Sequence, residues 1–376
     1  MEKSKKLSIS LLNLLSILLL LTIFYAVKGS IFKYISLISS VSSIVILLLI
    51  IFNQKIKINN LFIIFILYIV YNILLLVSNF SIEALYKVFQ ELILVTFSFL
   101  LINIKLSKDD FNKIVSFFSK VYYILFLVIL ILMLLIDENY IFNLYISRTV
   151  LKVVFVLSYF GFVKSNKKLL YTIISAVLFF YIGERTPAII LLLIYFLYTF
   201  FSKNTSKTLF KTLFILVIAG LLVFILVYIN LPKTKLGMQL NQYSRELSGE
   251  NFFSGRNVIW EQVIKATDGN ELFGLTYNND IKLYYGEVLS THNLYLWLYM
   301  NGGVCLLLLF IIYVYNIWKK MYLNIDNKYS RAAMAYFLGF LVLCNFELLL
   351  LVNNFSVSMF MWLVISFGIN LNKVKD

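Results

Sequence analysis

The sequence predicts an all-α polytopic membrane protein of about twelve transmembrane helices with one long extracytoplasmic loop, and three observations predict it. Of 376 residues, 61% are hydrophobic and only two are proline, well above the apolar share of an ordinary soluble domain. The apolar residues come in continuous blocks of about 16–25 positions, the length that crosses a ~30 Å hydrocarbon core. The blocks do not alternate apolar with polar, so their backbone is satisfied within helices rather than in a barrel.

In chain order the spans fall at about 8–26, 31–52, 61–79, 89–104, 114–136, 148–163, 169–183, 187–201, 209–230, 291–317, 331–352 and 354–371. The start Met1-Glu2-Lys3-Ser4-Lys5-Lys6 resembles that of a signal peptide. No small-residue cleavage site follows, however, and the apolar run is long enough to span, so the first helix is expected to stay. The link Gly183–Thr186 is so short that spans seven and eight form a tight hairpin. Three regions result: 1–230 with nine spans, 231–290 as the extracytoplasmic loop with short helices, and 291–376 with three spans.

The net charge of +15 sits in the links and reads as topology, not as a nucleic-acid surface. With the N-terminus inside, the inside segments carry 20 Lys and Arg and the short outside links carry 4, which is the positive-inside pattern. Both termini are then cytoplasmic, and the long loop and the Gly183–Thr186 tip face outward. Cys305 and Cys344 fall within spans and suit core packing. The single histidine and scattered carboxylates form no metal-ligand spacing, and no cofactor is expected.

Ionisable residues within membrane spans are costly and mark function by default. On this topology Glu91, Lys152 and Glu347 lie near the outer ends of their spans, and Arg148, Glu184 and Arg185 lie at or just beyond such ends. Only Lys120 is near an inner end. This one-sidedness favours a polar cleft opening on the outer side over a path through the membrane.

The loop divides into three parts. Pro232–Phe253 reads as polar and flexible. Ser254–Thr267 reads as a short helix that Ser254 can cap, with an apolar stripe of Ile259 or Trp260, Val263 and Ile264. Asp268–Thr291 reads as irregular. Arg256 falls in the first helical turn, where a cation opposes the helix dipole. Helix stability therefore does not explain it; an anionic ligand such as phosphate suits it, and the alternative is a solvated surface arginine. His292, the only histidine, stands at the mouth of span ten, where a neutral imidazole can take a proton from an attacking hydroxyl. Asn293 can orient a substrate or cap the helix. Tyr295, Trp297 and Tyr299 read as an interfacial aromatic girdle. Arg185 can reach the cleft of Arg256, and two arginines there suit a diphosphate.

The ordered set of Gly183 and Arg185, then Gly255, Arg256 and Trp260, then Leu272 and Gly274, then His292, Asn293, Tyr295, Leu296 and Gly302 resembles the O-antigen ligase and polymerase superfamily, which includes Wzy-type repeat-unit polymerases. It covers roughly residues 180–310. Glu271, Thr276 and Cys305 depart from the pattern, as does acidic Glu184 before Arg185. The resemblance implies a GT-C-like fold in a bacterial cytoplasmic (inner) membrane. It implies inverting, metal-independent glycosyl transfer from undecaprenyl-diphosphate-linked oligosaccharide at the outer face. His292 would be the general base, and Arg185 and Arg256 would hold the leaving diphosphate. Glu184, Arg245, Trp260, Asn278, Asn293 and Tyr295 form the expected substrate-binding set. A flippase and a chain-length regulator of the same pathway are the expected partners. The competing readings are a ligase that moves finished glycan to another acceptor, and a polysaccharide flippase or transporter.

Overall fold

The structure is a computed structural model that describes residues 14–22, 30–52, 59–104, 106, 108–135, 148–202, 204–248, 251–277, 290–352 and 355–370. The described residues are helical with no strands. After a helical stretch at 14–22 come α1 (Ser30–Phe52), α2 (Asn60–Ser78), α3 (Ile82–Asn103), α4 (Lys108–Leu135), α5 (Arg148–Lys164), α6 (Lys168–Tyr181), α7 (Arg185–Phe200) and α8 (Lys207–Asn230). The loop region holds α9 (Lys235–Ser248) and α10 (Arg256–Ala266), and α11 (Leu294–Met321), α12 (Lys328–Leu343) and α13 (Phe355–Asn370) follow.

Among the described residues, five stretches are long and apolar enough to cross a membrane: Asn60–Ser78, Ile82–Asn103, Asp109–Ile131, Lys207–Lys233 and Leu294–Asn324. Several other helices are apolar but shorter, including α6, α7 and α13. The outer faces of these helices expose large aliphatic side chains, such as Leu74 at 60% and Val77 at 71% on α2. A water-facing helix would carry polar groups there. The architecture is that of an α-helical membrane protein.

Helix starts follow local chemistry. Asn59 caps α2 by accepting from Leu61 N and Phe62 N, Ser81 caps α3 through Ala84 N, and Ser206 caps α8 through Leu209 N, each satisfying an N–H that the first turn leaves open. The bundle centre is α12 and α13. From Phe355 to Gly368 every residue of α13 is buried, as an apolar helix surrounded by protein should be. Against lipid, contact packing rather than water exclusion selects neighbours. Gly339 of α12 shows how closely helices approach, because a Cβ there would meet Ile194 at 2.8 Å and Ile190 at 3.0 Å on α7. The rings of Phe210 and Trp318 stack at 3.9 Å and tie α8 to α11.

Two predicted spans are interrupted. Span ten was expected as one helix over 291–317, but α11 starts at Leu294 and breaks at Gly303, which has φ 65° and ψ −164°. The loop repairs the break. Val304 N donates to Glu271 O (2.8 Å), Cys305 N to Leu272 O (3.2 Å) and Leu275 N to Met300 O (2.7 Å). Tyr71 Oη donates to Gly302 O at 2.8 Å. A Cβ on Gly303 would lie 2.3 Å from Leu272 O, and one on Gly274 would lie 2.6 Å from Gly303 N. Loop and helix backbones thus touch directly. Gly303→Ala is expected to lower stability by about 1–3 kcal/mol from the positive φ alone, with the clash in addition. A thermal melt in detergent, with protease sensitivity at 268–277, measures it.

The second interruption ends span eleven. It was expected to run to 352, but α12 stops at Leu343 and residues 344–352 are irregular. Leu348–Val352 are all buried. Non-helical backbone at membrane depth is tolerated where protein encloses it. Here Trp362 Nε1 donates to Leu350 O (2.8 Å) and Asn345 Nδ2 to Leu221 O (3.2 Å). Leu350 sits at φ 72°, a strained conformation for a branched side chain.

Candidate functional site

The polar loop is more ordered than its composition predicts. The segment expected to be flexible contains α9, and Arg245 near its end is exposed and donates through Nε to Asn251 Oδ1. Asn241 Oδ1 also accepts from Phe252 N at 3.0 Å. These bonds hold α9 over the turn that opens α10.

That turn presents Arg256. Ser254 and Gly255 have positive φ, 50° and 74°, which reverses the chain into the helix. The predicted Ser254 cap is not formed. Ser254 Oγ donates back to Asn251 O, and Gly255 occupies the cap position without a side-chain bond. A Cβ on Gly255 would meet nothing within 4 Å, so glycine is needed there for its φ and not for space. Phe253 is buried, and its carbonyl accepts from Tyr228 Oη (2.9 Å) and Arg256 N (3.0 Å). Arg256 is therefore the first residue of α10, within its first turn as predicted, and it is half-buried. Its guanidinium lies 5.8 Å from the centre of the Phe346 ring, a cation–π distance.

Trp260 stands one turn along the same helix face. It is fully buried, and Nε1 donates to Thr291 O at 2.9 Å. This bond ties the helix that carries Arg256 to the residue just before His292. Next, Asn293 is buried and caps α11: Oδ1 accepts from Leu296 N (3.0 Å), while Nδ2 donates to Asn345 O and Oδ1 (3.1 Å each). Leu294 N donates to Cys344 O at 2.8 Å. His292 lies between these two fixed residues, exposed, at φ 45°. Bonds at Thr291 and Asn293 hold the chain on either side of it.

Arg185 reaches the same end of the bundle by another route. Helix α6 closes on Gly183 (φ 85°), with Gly183 N donating to Phe180 O and Glu184 N to Phe179 O, the paired bonds of a glycine-terminated helix. Helix α7 starts at once, with Arg185 first and Pro187 in the first turn, where its missing N–H is not needed. Helices α7 and α12 run antiparallel, since Phe162 bridges Tyr198 and Tyr336 while Ile190 meets Gly339. The Arg185 end of α7 therefore lies toward the end of α12 from which 344–352 departs. Glu184 and Arg185 are both half-buried there.

Of the predicted substrate-binding set, Trp260, Asn293 and Tyr295 take supporting positions instead. Tyr295 is buried and donates to Leu341 O at 2.8 Å, and Trp297 is buried against Tyr277 at 5.6 Å. The expected aromatic girdle is thus replaced by a contact on α12 at Tyr295 and by packing on the loop residue Tyr277 at Trp297. Trp260→Phe is expected to leave Thr291 O unpaired and lower stability by ~1–3 kcal/mol, measurable by melting in detergent. Asn278 lies outside the described residues.

Sequence reasoning missed the organising role of 344–352. Asn345 joins His292's turn, Phe346 faces Arg256, and Glu347 pairs with Lys152 of α5 at 2.8 Å. The available signal was Asn345-Phe346-Glu347 interrupting an apolar run. Glu91 on α3 is buried, accepts from Tyr68 Oη, and accepts from Tyr277 Oη at 2.6 Å, so it anchors the end of the described loop. Among the described residues, no three His, Cys, Asp or Glu side chains gather in a metal-binding group.

A family model described as O-antigen ligase matches residues 170–311. No curated protein and no solved structure matches the chain significantly. The matched stretch runs from α6 into α11 and contains Arg185, Arg256, His292 and the Gly274–Gly303 contact; Lys152 and 344–352 lie outside it. Over residues 170–311 the chain is thus similar to the O-antigen ligase family, which supports the resemblance to the O-antigen ligase and polymerase superfamily.

Proposed function

We propose that this protein is a polysaccharide repeat-unit polymerase of a bacterial cytoplasmic membrane. It would join undecaprenyl-diphosphate-linked oligosaccharides at the outer face by inverting, metal-independent glycosyl transfer. The observation that carries this reading is the Trp260–Thr291 bond, which ties the helix that Arg256 opens to the residue before the exposed His292. An acceptor sugar hydroxyl attacks C1 of the donor sugar from the face opposite the leaving group. His292 takes the hydroxyl proton, the new C1–O bond forms, and the old C1–O bond breaks to release undecaprenyl diphosphate. Arg256 and Arg185 stabilise the negative charge on the departing diphosphate. The reading includes twelve spans with both termini cytoplasmic, and partners that deliver repeat units and limit chain length.

A ligase is the second reading, favoured because the matching family is described as O-antigen ligase. Purified protein in vesicles, supplied with a lipid-linked repeat unit, separates the readings. A polymerase gives a ladder of lipid-linked products. A single transfer that needs a different acceptor would identify a ligase, and movement of the repeat unit across the bilayer without transfer would identify a transporter.

A further inference from the structure

We propose that Glu347, fixed by Lys152, is a positioning residue that sets both halves of the site through the 344–352 segment; this rests on the glycosyl-transfer reading. The two side chains meet at 2.8 Å and are 14% and 20% exposed. An enclosed ion pair loses about as much in desolvation as it gains in attraction, so stability alone is a weak account of it. Its location is more informative. It lies within irregular backbone between two buried helices, one residue after Phe346 and two after Asn345.

The segment is pinned at several points. Asn345 bonds to Leu221 of α8 and to Asn293, the cap residue beside His292. Leu350 is held by Trp362 of α13. The Glu347–Lys152 pair adds the tie to α5, which itself packs on α4, α12 and α13. Between the Asn345 and Glu347 ties stands Phe346, the ring under Arg256. Loosening Glu347 therefore moves the platform of Arg256 and the support of the His292 turn together. A carboxylate that merely filled space would not couple the two.

The test uses full-length protein in vesicles with three variants: Glu347→Gln, Lys152→Met, and the exchanged pair Lys152→Glu with Glu347→Lys. Transfer kinetics are measured together with hydrogen exchange over 251–256, which carries Arg256, and 290–294, which carries His292. Each single change is expected to lower kcat by about 10–100-fold, the effect of an ångström-scale misplacement, with KM within about twofold. Exchange should quicken in both segments, and the exchanged pair should recover both readouts. Single variants with wild-type kcat and exchange would overturn the proposal. So would lost activity with wild-type exchange and no recovery in the exchanged pair, which would make Glu347 a substrate contact. If the wild-type protein transfers no glycan, the functional reading fails, while the exchange data still decide whether Glu347 orders both segments.

Discussion

His292→Ala is expected to abolish long-chain glycan while single repeat units still reach the outer leaflet. General-base assistance contributes typically ~10²–10⁴-fold, enough to remove a ladder from a gel profile of surface glycan. The position lends itself to this test because His292 is exposed and bonds at Thr291 and Asn293 hold the turn on either side of it. The backbone at φ 45° needs a control, since alanine is less at ease there than histidine. His292→Asn supplies it, because asparagine accepts a left-handed conformation and takes no proton in this role. Both variants should fail alike. A normal ladder from either one would sink the base assignment. Loss of the repeat unit from the outer leaflet would point to transport instead.

Continuous apolar runs made the helices legible. The span expected at 61–79 is α2 at Asn60–Ser78, and the hairpin at Gly183–Thr186 is the turn between α6 and α7. Arg256 was legible too, since a cation in a first turn is out of place by local rules. Hydropathy could not register the two breaks, because each depends on partners far along the chain. The break at Gly303 is satisfied by backbone groups of 271–275, and the one at 344–352 by Asn293, Lys152 and Trp362. In sequence the first looks like ordinary span, and the second shows only as Asn345-Phe346-Glu347 within an apolar run. Composition also misplaced Tyr295 and Trp297. It ranks such residues as interface anchors but carries no information on which face another helix covers. Helix α9 was hidden for a related reason, since its Gly237 and many polar residues read locally as loop. Gly237 is buried, and a Cβ there would lie 1.9 Å from Leu231 O, so close approach to the preceding turn is what requires glycine at that position.

Arg256→Lys is expected to slow transfer by about 10²–10³-fold, the scale for removing one preorganised stabiliser of developing charge. The substitution keeps the positive charge. It removes the planar fork that meets two diphosphate oxygens at once, and the flat face that rests 5.8 Å from the Phe346 ring. A flexible ammonium recovers neither feature. Two companions separate them. Phe346→Leu keeps Arg256 and removes its ring contact, worth ~0.5–1 kcal/mol at a partly exposed site, together with the edge contact of Phe346 on Phe224 of α8, and should slow transfer only severalfold. Arg256→Gln removes the charge as well and should be slower than Arg256→Lys. The measurement is the initial rate of ladder formation at saturating lipid-linked repeat unit. If Arg256→Lys polymerises at the wild-type rate, charge alone suffices and bidentate diphosphate binding is the wrong picture. If Phe346→Leu is as slow as Arg256→Lys, the guanidinium acts through its fixed orientation, and the 344–352 segment becomes as important to the chemistry as the arginine it supports.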